Sequence, residues 1–493
     1  MKTVLINPPN RVPEKWAWGH AANVFQPLGL GYIAAVLEQA GREVSIIDAL
    51  GLGWSCRIKI NNEYLYAGLT FDEIWEMVAA QAPDIVGISI PFSSQAKVVS
   101  ELALFIKHKN PGISVVLGGP HVSVRPEECL NNEGVDIVVM GEGERTMLEL
   151  VDALSRKRNL KEIKGLMYKY GGEAINTGRR DFIEDLDSIP FPARHLLPME
   201  EYFKAARAGR TSRHMNGKWS TVITSRGCPS DCVFCCINLS MGKKWRRRSP
   251  ENVIAELREL KNNYGIRSLD FEDDNLTLDL KRAERIFDLM AETRLDLQWE
   301  TPNGIRADRL NETLLRKMKR SGCKRLYISP ESGDQRVINE IIKKRLDLND
   351  VRKIVALCRK VGIKVTCSFI IGLIGETRES LAKTIAFARE LKKLGADRFG
   401  FAIATPYYGT ELYEQALSGG YLGPDFDGCR LSTSEALIET PEFTREELLA
   451  IKEEAQKINF RLSLDNLRIG LKEPRLIIRA LRSLFKKHKI RER

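Results

Sequence analysis

Runs of apolar, β-branched residues alternate with amphipathic stretches along most of the chain. Up to about residue 150, the runs Lys2–Ile6, Val44–Asp48, Ile85–Ile90, Ser114–Leu117 and Ile137–Met140 are apolar at consecutive positions, as strands covered on both faces are. Between them, Leu28–Gln39, Phe71–Ala80 and Ala96–His108 repeat their apolar residues at helical spacing. The alternation predicts an α/β domain over residues 1–150, an open Rossmann-like parallel sheet with ligands beyond the carboxyl ends of its strands. From about 216 to 430 it resumes. Strands are predicted at Trp219–Thr224, Ser268–Phe271, Gln298–Glu300, Arg325–Ile328, Lys364–Ile371 and Arg398–Ile403. Helices are predicted at Pro250–Asn263, Lys281–Thr293, Leu310–Arg320, Asp350–Val361 and Arg378–Leu394. Such a succession predicts a partial parallel (β/α)6 barrel with its chemistry at the carboxyl ends of the strands.

Residues 151–215 read as a connector. Leu166–Tyr170 and Glu173–Thr177 flank Gly171-Gly172 as a hairpin, and the prolines from Leu186 to Pro192 suggest an extended tether. Residues 431–493 read as a helical extension, opened by Thr444 as a cap with acids in the first turn.

A chain of 493 residues is too long for one core, and its 43% hydrophobic and 29% charged residues are ordinary for a globular protein. Ten cysteines, three of them clustered, do not make a disulfide framework. They suit a reducing compartment, so the cytoplasm is expected. No apolar run is long enough for a signal h-region or a bilayer span. The net charge of +11 is concentrated at the end, where Arg475–Arg493 holds eight Lys or Arg against one Glu. There Ile477, Leu481, Leu484 and Phe485 share a face opposite the basic residues. Such a helix can lie on an anionic membrane or pack on the protein with its basic face solvated. Nucleic acid is not expected, since no stacking aromatics are interleaved with these charges.

The stretch Thr224 to Cys235 carries the chemistry. Cys228, Cys232 and Cys235 stand at C-x3-C-x2-C spacing in a Gly/Pro/Ser/Asp loop behind a predicted strand, so three thiolates can converge on one inorganic centre. Zinc sites usually show two paired ligand groups, and no second pair is present. Cys236 is expected to be a packed thiol. A cubane is usually held by four cysteines, so three leave one iron open. With Phe234 just before the third cysteine, the loop resembles that of the radical S-adenosylmethionine (SAM) superfamily. The resemblance implies a [4Fe-4S] cluster on the three cysteines, with SAM completing the coordination.

The first domain adds a second resemblance. Its strand-end loops are Asn7-Pro8-Pro9, Pro91-Phe92-Ser93-Ser94, Gly118-Gly119-Pro120-His121 and Gly141-Glu142-Gly143-Glu144, with Pro27-Leu28-Gly29 opening the first helix. A dinucleotide-binding domain is a poor fit, because no G-x-G-x-x-G follows the first strand. In this order, ahead of the cysteine loop, the loops resemble the cobalamin-binding domain of B12-dependent radical SAM enzymes. That implies cobalamin contacts from Pro8, Pro9, Gly29, Ser93, Ser94, Gly118, Gly119, His121, Glu142 and Gly143. There is no Asp-x-His-x-x-Gly, so the histidine that ligates cobalt in the better-known B12 module has no counterpart. His121 is the nearest candidate, and a hydrogen-bonding loop residue is the commoner role in such a turn.

At the predicted barrel strand ends, Glu272-Asp273-Asp274-Asn275 places carboxylates where a SAM ammonium can be held. Pro330-Glu331-Ser332-Gly333 resembles the family's Glu-Ser-Gly element. The resemblance thus implies SAM contacts from Phe234, Asp273, Asp274, Glu331 and Ser332. Gly372-Leu373-Ile374-Gly375-Glu376 has Ile374 where many relatives have proline. Tyr327, Tyr407 and Tyr408 are expected to be packed aromatics rather than radical relays.

Together these resemblances imply a cobalamin-dependent radical SAM enzyme that methylates an unactivated carbon through methylcobalamin, fed by an electron donor such as flavodoxin or ferredoxin. Radical oxidation, cyclisation or rearrangement without methyl transfer is the alternative, and a non-catalytic corrinoid or redox sensor a third reading. Methylthio transfer fits less well, because only Cys56 and Cys129 precede the loop. The substrate is not legible; a lipid or isoprenoid would follow if the basic tail touches membranes.

Overall fold

The computed structural model describes residues 1–13, 24–59, 64–209, 217–424 and 426–470, with side chains as far as residue 459. The basic tail from Arg475 lies outside them. The chain divides into two compact units, one of Met1–Cys228 with Ile237–Ser268, the other of Pro229–Cys236 with the chain from Leu269 onward.

The first unit is built on a seven-stranded sheet. Its elements in chain order are β1 (Lys2–Asn7), α1 (Leu28–Gln39), β2 (Glu43–Asp48), α2 (Phe71–Ala79), β3 (Ile85–Ser89), α3 (Ala96–Lys109), β4 (Ser114–Gly118), β5 (Ile137–Val139), α4 (Gly143–Ser155), β6 (Leu166–Tyr170) and β7 (Glu173–Asn176). The order across the sheet is β7-β6-β5-β4-β3-β1-β2. β1 to β5 are parallel, and burial on both faces along most of β1, β3, β4 and β5 explains why they read as apolar runs, while the edge strand β2 is buried only in its second half. Order 2-1-3-4-5 reverses direction between β1 and β3, and ligands bind at such a switch point. α2 starts from a complete capping box, Thr70 with Glu73.

Two differences from the predicted boundaries concern the connector. The hairpin β6–β7 pairs antiparallel with β5 and extends the first sheet. The proline-rich stretch is not a free tether. Ile183, Leu186 and Ile189, spaced to share a face, pack on Leu28 and Tyr32 of α1, and the Ala193 N–H donates to Gly31 O at 2.9 Å. Behind it, helix α5 (Met199–Arg207) sends the Tyr202 hydroxyl to the buried Asp48 carboxylate at the end of β2. A three-stranded antiparallel sheet of Asn10–Pro13, Arg57–Lys59 and Tyr64–Ala67 was not legible in the sequence, since its strands are only three or four residues long.

The unit is completed by strand β8 (Trp219–Val222) and helix α6 (Pro250–Tyr264), which starts on a Ser249 cap and ends on Gly265 in the left-handed conformation. From α6, Glu256 forms an ion pair with Arg194 of the connector at 2.7 Å and accepts from Arg248, and Arg194 and Glu256 are fully buried.

In the second unit, strands follow one another across the sheet in sequence order: β9 (Ser268–Phe271), β10 (Gln298–Ile305), β11 (Cys323–Glu331), β12 (Lys364–Ile371) and β13 (Arg398–Ile403). β10 to β13 pair in parallel. The helices between them are α7 (Leu280–Glu292), α8 (Glu312–Arg320), α9 (Leu348–Val361) and α10 (Arg378–Leu394), the succession of a partial barrel. Trp299 stacks on Phe287 with ring centroids 4.8 Å apart, and Phe369 stacks on Phe401 at 5.3 Å. Helix α11 (Glu411–Ser418) follows β13, and the final helix α12 (Arg445–Gly470) is capped by Thr444 and Glu447 as predicted. Asn459 of α12 mimics a peptide group, donating to Phe399 O at 2.7 Å and accepting from Phe399 N at 3.0 Å, which covers the edge strand β13.

The Arg194–Glu256–Arg248 triad yields a stability test. Glu256→Gln leaves two buried guanidinium groups short of their counter-charge, and a loss of about 3–5 kcal/mol is expected. Urea unfolding should show a lower midpoint at an unchanged slope.

Candidate active site

At the switch point of the first sheet lies a narrow cavity of ≈ 180 Å³. Its walls are Leu5 and Gly87 of the strands, Val116, Val139, and Tyr32, Ile33 and Met147 of α1 and α4. Gly87 keeps its base open, since a Cβ there would come within 2.9 Å of Leu5 Cδ2 and push that side chain aside. At the mouth, Gly119 adopts φ 106°, and a Cβ there would sit 2.9 Å from Ile90 O. Backbone thus comes close to whatever fills the cavity.

Five of the residues predicted to meet cobalamin line this cavity: Gly29, Gly118, Gly119, Glu142 and Gly143. The other five do not. Pro8 and Pro9 are buried, and Pro9 packs on Gly68, whose added Cβ would lie 2.8 Å from it. Ser93 and Ser94 are half-buried in a short turn, and Ser93 Oγ bonds His121 Nδ1 at 2.9 Å. His121 is itself buried, and burial pushes its imidazole below the usual range, towards the neutral form. Its observed role is the hydrogen-bonding one.

Glu142 closes the cavity mouth with an ion network. Its carboxylate accepts from Arg226 at 2.8 Å, from Arg246 at 2.8 and 3.0 Å, and from the Ile183 N–H at 2.7 Å. Glu144 accepts from the second Arg226 nitrogen at 2.7 Å. The Arg226 guanidinium also lies over the Tyr32 ring, 5.1 Å from its centre, and burial, then the charge of Glu256, pushes that phenol up to about 12. Arg226 itself lines the cavity and stands two residues before the first clustered cysteine.

The cysteine loop is fixed by different means along its length. Ser225 and Arg226 form a two-residue ladder with Arg247 and Arg246. Gly227 then turns with φ 84°, where an added Cβ would meet Lys244 O at 2.5 Å, and the Cys228 N–H donates to Gly242 O at 3.2 Å. Further on, Val233 is pinned on both sides, its N–H on Ile342 O at 3.1 Å and its carbonyl accepting from Leu412 N at 3.0 Å. Buried Val233 joins a core with Val337, Leu373 and Ala404, against which Cys232 and Phe234 pack. Cys235 N donates to Cys232 O at 3.0 Å. Cys228, Cys232 and Cys235 are all half-buried, while Cys236 is exposed and so is not the packed thiol expected. Its neighbour Val233 takes the inward position that the loop offers. Among the described residues, no three His, Cys, Asp or Glu are drawn together as ligands of a single ion.

The barrel strand ends of the second unit carry buried acids. Asp273 is buried beside Asp274, whose carboxyl is pushed up to about 7 by burial and then by the charges of Asp273 and Glu272. Glu331 sits at φ 69° and pairs with Lys344 Nζ at 2.6 Å, which also donates to Ser329 O. Burial pushes the Glu331 carboxyl up in spite of that lysine. Ser332 is fully buried, its hydroxyl bonded to Thr384 at 3.0 Å and accepting from Asp334 N at 3.1 Å. In the Gly372–Glu376 turn, Glu376 accepts from Gly372 N at 2.8 Å and Leu373 N at 3.0 Å. The carboxylate thus stiffens a turn in which Ile374 replaces proline. Half-buried Tyr408 packs edge-on against Tyr413 at 5.1 Å, as an ordinary packed aromatic does.

The model of the Radical SAM superfamily matches residues 222–388, and that of the B12 binding domain matches residues 15–151. An uncharacterised methyltransferase of Pyrococcus horikoshii, PH0819, is 38% identical over 451 residues, 91% of this chain and 90% of its own length. The chain belongs to the B12-binding-domain radical SAM family. The cytidylyl-2-hydroxyethylphosphonate methyltransferase of Streptomyces wedmorensis is 33% identical over 84% of this chain and 82% of its own length. Among solved structures, the radical SAM methyltransferase TsrM of Kitasatospora setae, with tryptophan and a SAM analogue bound, aligns with a TM-score of 0.67 and 18% identity. That alignment covers 92% of this chain and 82% of TsrM, and shows that the two share a fold.

The donor chemistry fits the groups this family uses. Three half-buried thiols on a loop fixed by backbone bonds suit soft iron. A glycine-lined slot, apolar inside and polar at its mouth, suits the tail of a large cofactor. Arg226, Tyr32 and Met147 escaped the sequence reading, since their signal is proximity to the slot and not local pattern.

Two substitutions test these local arguments. Gly227→Ala should lower the iron content of reconstituted protein several-fold while leaving the circular dichroism spectrum unchanged, because only the loop has to yield. Glu376 has a carboxyl pushed up to about 7 from 4.5 by burial. It keeps its proton in the folded chain over a range where the unfolded chain has lost it, so its contribution is fully present below pH about 4.5 and lost as pH rises through about 7. Relative to Glu376→Gln, the wild type should therefore lose about 3 kcal/mol between pH 4.5 and 8. Parallel pH profiles of melting temperature for the two proteins would refute the argument.

Proposed function

We infer that this protein is a cobalamin-dependent radical SAM methyltransferase that adds a methyl group to an unactivated carbon of an organic substrate. The observation that carries this is the slot at the switch point, whose mouth is formed by Glu142, Glu144 and the arginine that leads into Cys228. A ligand tail seated in the slot and the first cluster cysteine therefore share one set of supporting side chains.

When bound, the cluster, SAM and cobalamin supply reductive cleavage of SAM to a 5′-deoxyadenosyl radical, hydrogen abstraction from carbon, and a methyl group for the carbon so exposed. The chain's own residues hold and orient. Cys228, Cys232 and Cys235 would each hold an iron, leaving the fourth for SAM. Phe234, packed against the Val233 core, fixes the loop between the second and third of them. Asp273 and Asp274 offer negative charge to the SAM ammonium, which would draw the Asp274 proton off. Glu331 is held by Lys344 at the next strand end but one, and Ser332 supports that turn from beneath. Gly29, Gly118, Gly119, Glu142 and Gly143 would receive cobalamin, while His121 and Ser93 brace the loop beside them. His121 is then no cobalt ligand.

No helix of the described residues is long and apolar enough to cross a membrane.

The test is anaerobic purification with hydroxocobalamin, cluster reconstitution, and assay for 5′-deoxyadenosine beside the corrinoid absorption spectrum. Wild type should retain corrinoid and form 5′-deoxyadenosine, Cys232→Ala should retain corrinoid and form none, and the substrate should gain one methyl group. Bound cluster without corrinoid would overturn the methyl-transfer reading, and a dehydrogenated product would replace it with the oxidative one.

A further inference from the structure

Between β11 and α9 the backbone leaves its usual conformations several times in succession. β11 ends on Glu331 at φ 69°, a turn of π-helix follows at Val337–Ile341, and beyond it Lys343 and Arg345 stand at φ 63° and φ 52°. None of the three left-handed residues is glycine, so each holds a backbone that its own side chain disfavours. Such residues persist only where the surroundings over-determine them, and with π-turns they gather at sites shaped for function.

Residues 342–345 are attached on three sides. Ile342 O accepts from the N–H of Val233, the residue after Cys232, at 3.1 Å, and the buried Ile342 side chain shares the Val233 core. Lys344 reaches the other way, its Nζ donating to the Glu331 carboxylate and to Ser329 O, each at 2.6 Å. On the third side the carbonyls of Lys344 and Arg345 accept from the half-buried Arg306, just past β10, at 3.1 and 3.4 Å. Asp308 accepts two bonds of 3.0 Å from the same guanidinium, which is therefore oriented before it meets the turn. One Arg306 nitrogen also stands 3.5 Å from Ser230 Oγ in the cysteine loop. Through two carbonyls Arg306 thus ties the backbone beside Cys232 to the acid at the end of β11.

We propose that Arg306 is a positioning residue for SAM cleavage, setting the spacing between the cysteine loop and Glu331 so that SAM meets the cluster in one orientation. It acts through the turn of residues 342–345 and through Lys344, and the strained backbone of that turn is what its bonds hold in place. Arginine suits the task because its planar fork serves a carboxylate and two carbonyls at once, which a single ammonium cannot do. A reacting bond is sensitive to small displacements of the groups that orient it, so loosening the turn costs rate as well as affinity. The proposal rests on the assignment of the cysteines to a cluster and of Glu331 to SAM made above.

The experiment compares reconstituted wild type with Arg306→Gln and Arg306→Lys. Four quantities are read: iron content, SAM affinity by equilibrium dialysis, the change SAM makes in the electron paramagnetic resonance spectrum of the reduced cluster, and 5′-deoxyadenosine formation at saturating SAM. Arg306→Gln should keep its iron, because the thiols and the Leu412 bond to Val233 remain. It should bind SAM about five-fold more weakly, show a broadened spectral response, and form product about ten-fold or more slowly. Arg306→Lys should fall between the two. Arg352→Gln is the control, breaking the pair that Arg352 makes with Glu390 at 2.7 and 3.1 Å between α9 and α10, and it should leave all four readouts unchanged. Wild-type affinity, spectrum and rate in Arg306→Gln, no recovery in Arg306→Lys, a loss of iron in step with activity, or an equal loss in Arg352→Gln would each overturn the positioning role. A wild type that takes up its cluster but gives no spectral response to SAM would overturn the functional reading beneath it, and that failure is visible before any variant is made.

Discussion

Burying a guanidinium costs several kcal/mol unless its geometry is nearly fully matched, and the mouth of the first sheet buries two of them. Arg226 and Arg246 come from a stretch about a hundred residues downstream of Glu142 and Glu144, so neither pair is a local accident. Two acids and two bases balance in charge, which lets the network sit against an apolar slot without leaving net charge in low dielectric. Its hydrogen bonds are directional as well as strong. Fixing both arms of Arg226 fixes the phase of the backbone that follows, through Gly227 into Cys228. The slot and the first cysteine thus answer to the same constraint.

The later part of the cysteine loop is held at Val233 by backbone bonds and packing. Val233 uses both of its backbone groups and an apolar core, so Cys232 and Phe234 on either side take their directions from main-chain geometry. The distinction has chemical sense. A cation beside a thiolate lowers the energy of its charged form and changes the centre it ligates, whereas peptide bonds and methyl groups position it with little electrostatic cost. One end of the loop is registered by charge and the other by packing, and all three cysteines remain partly accessible.

Much of this was legible because the local signals agreed. The predicted ranges of α1, β9, β12, α10 and β13 match the observed ones to the residue, since the apolar pattern is clear at each, and at α10 a Thr377 cap and a Gly395 stop coincide with it. The cysteine spacing and the order of glycine-rich loops carried the family. Lost were features made by contact over distance. Nothing at Arg226 or Arg246 marks them as partners of Glu142, and short strands such as Arg57–Lys59 carry too few residues for a period to register. The prolines of the connector read as a tether because the pattern of Ile183, Leu186 and Ile189 spans turns and not one helix. His121 shows the converse: a residue type that invites a metal reading is held by a serine, as most loop histidines are held by something.

Three acids shielded from solvent to different degrees at the strand ends of the second unit, Glu331 and Glu376 buried and Asp274 half-buried, differ in what offsets them. Glu331 has a lysine at 2.6 Å, and Glu376 has two peptide N–H groups. Asp274 is crowded by two more carboxylates, whose charges add to burial in raising its titration to near neutrality. Such a site is at its least favourable when empty and charged, and gains most from a positive ligand, because the same low dielectric that penalises like charges multiplies attraction to an ammonium. Repulsion among Glu272, Asp273 and Asp274 is then a preference written into the strand end. An incoming cation would relieve it.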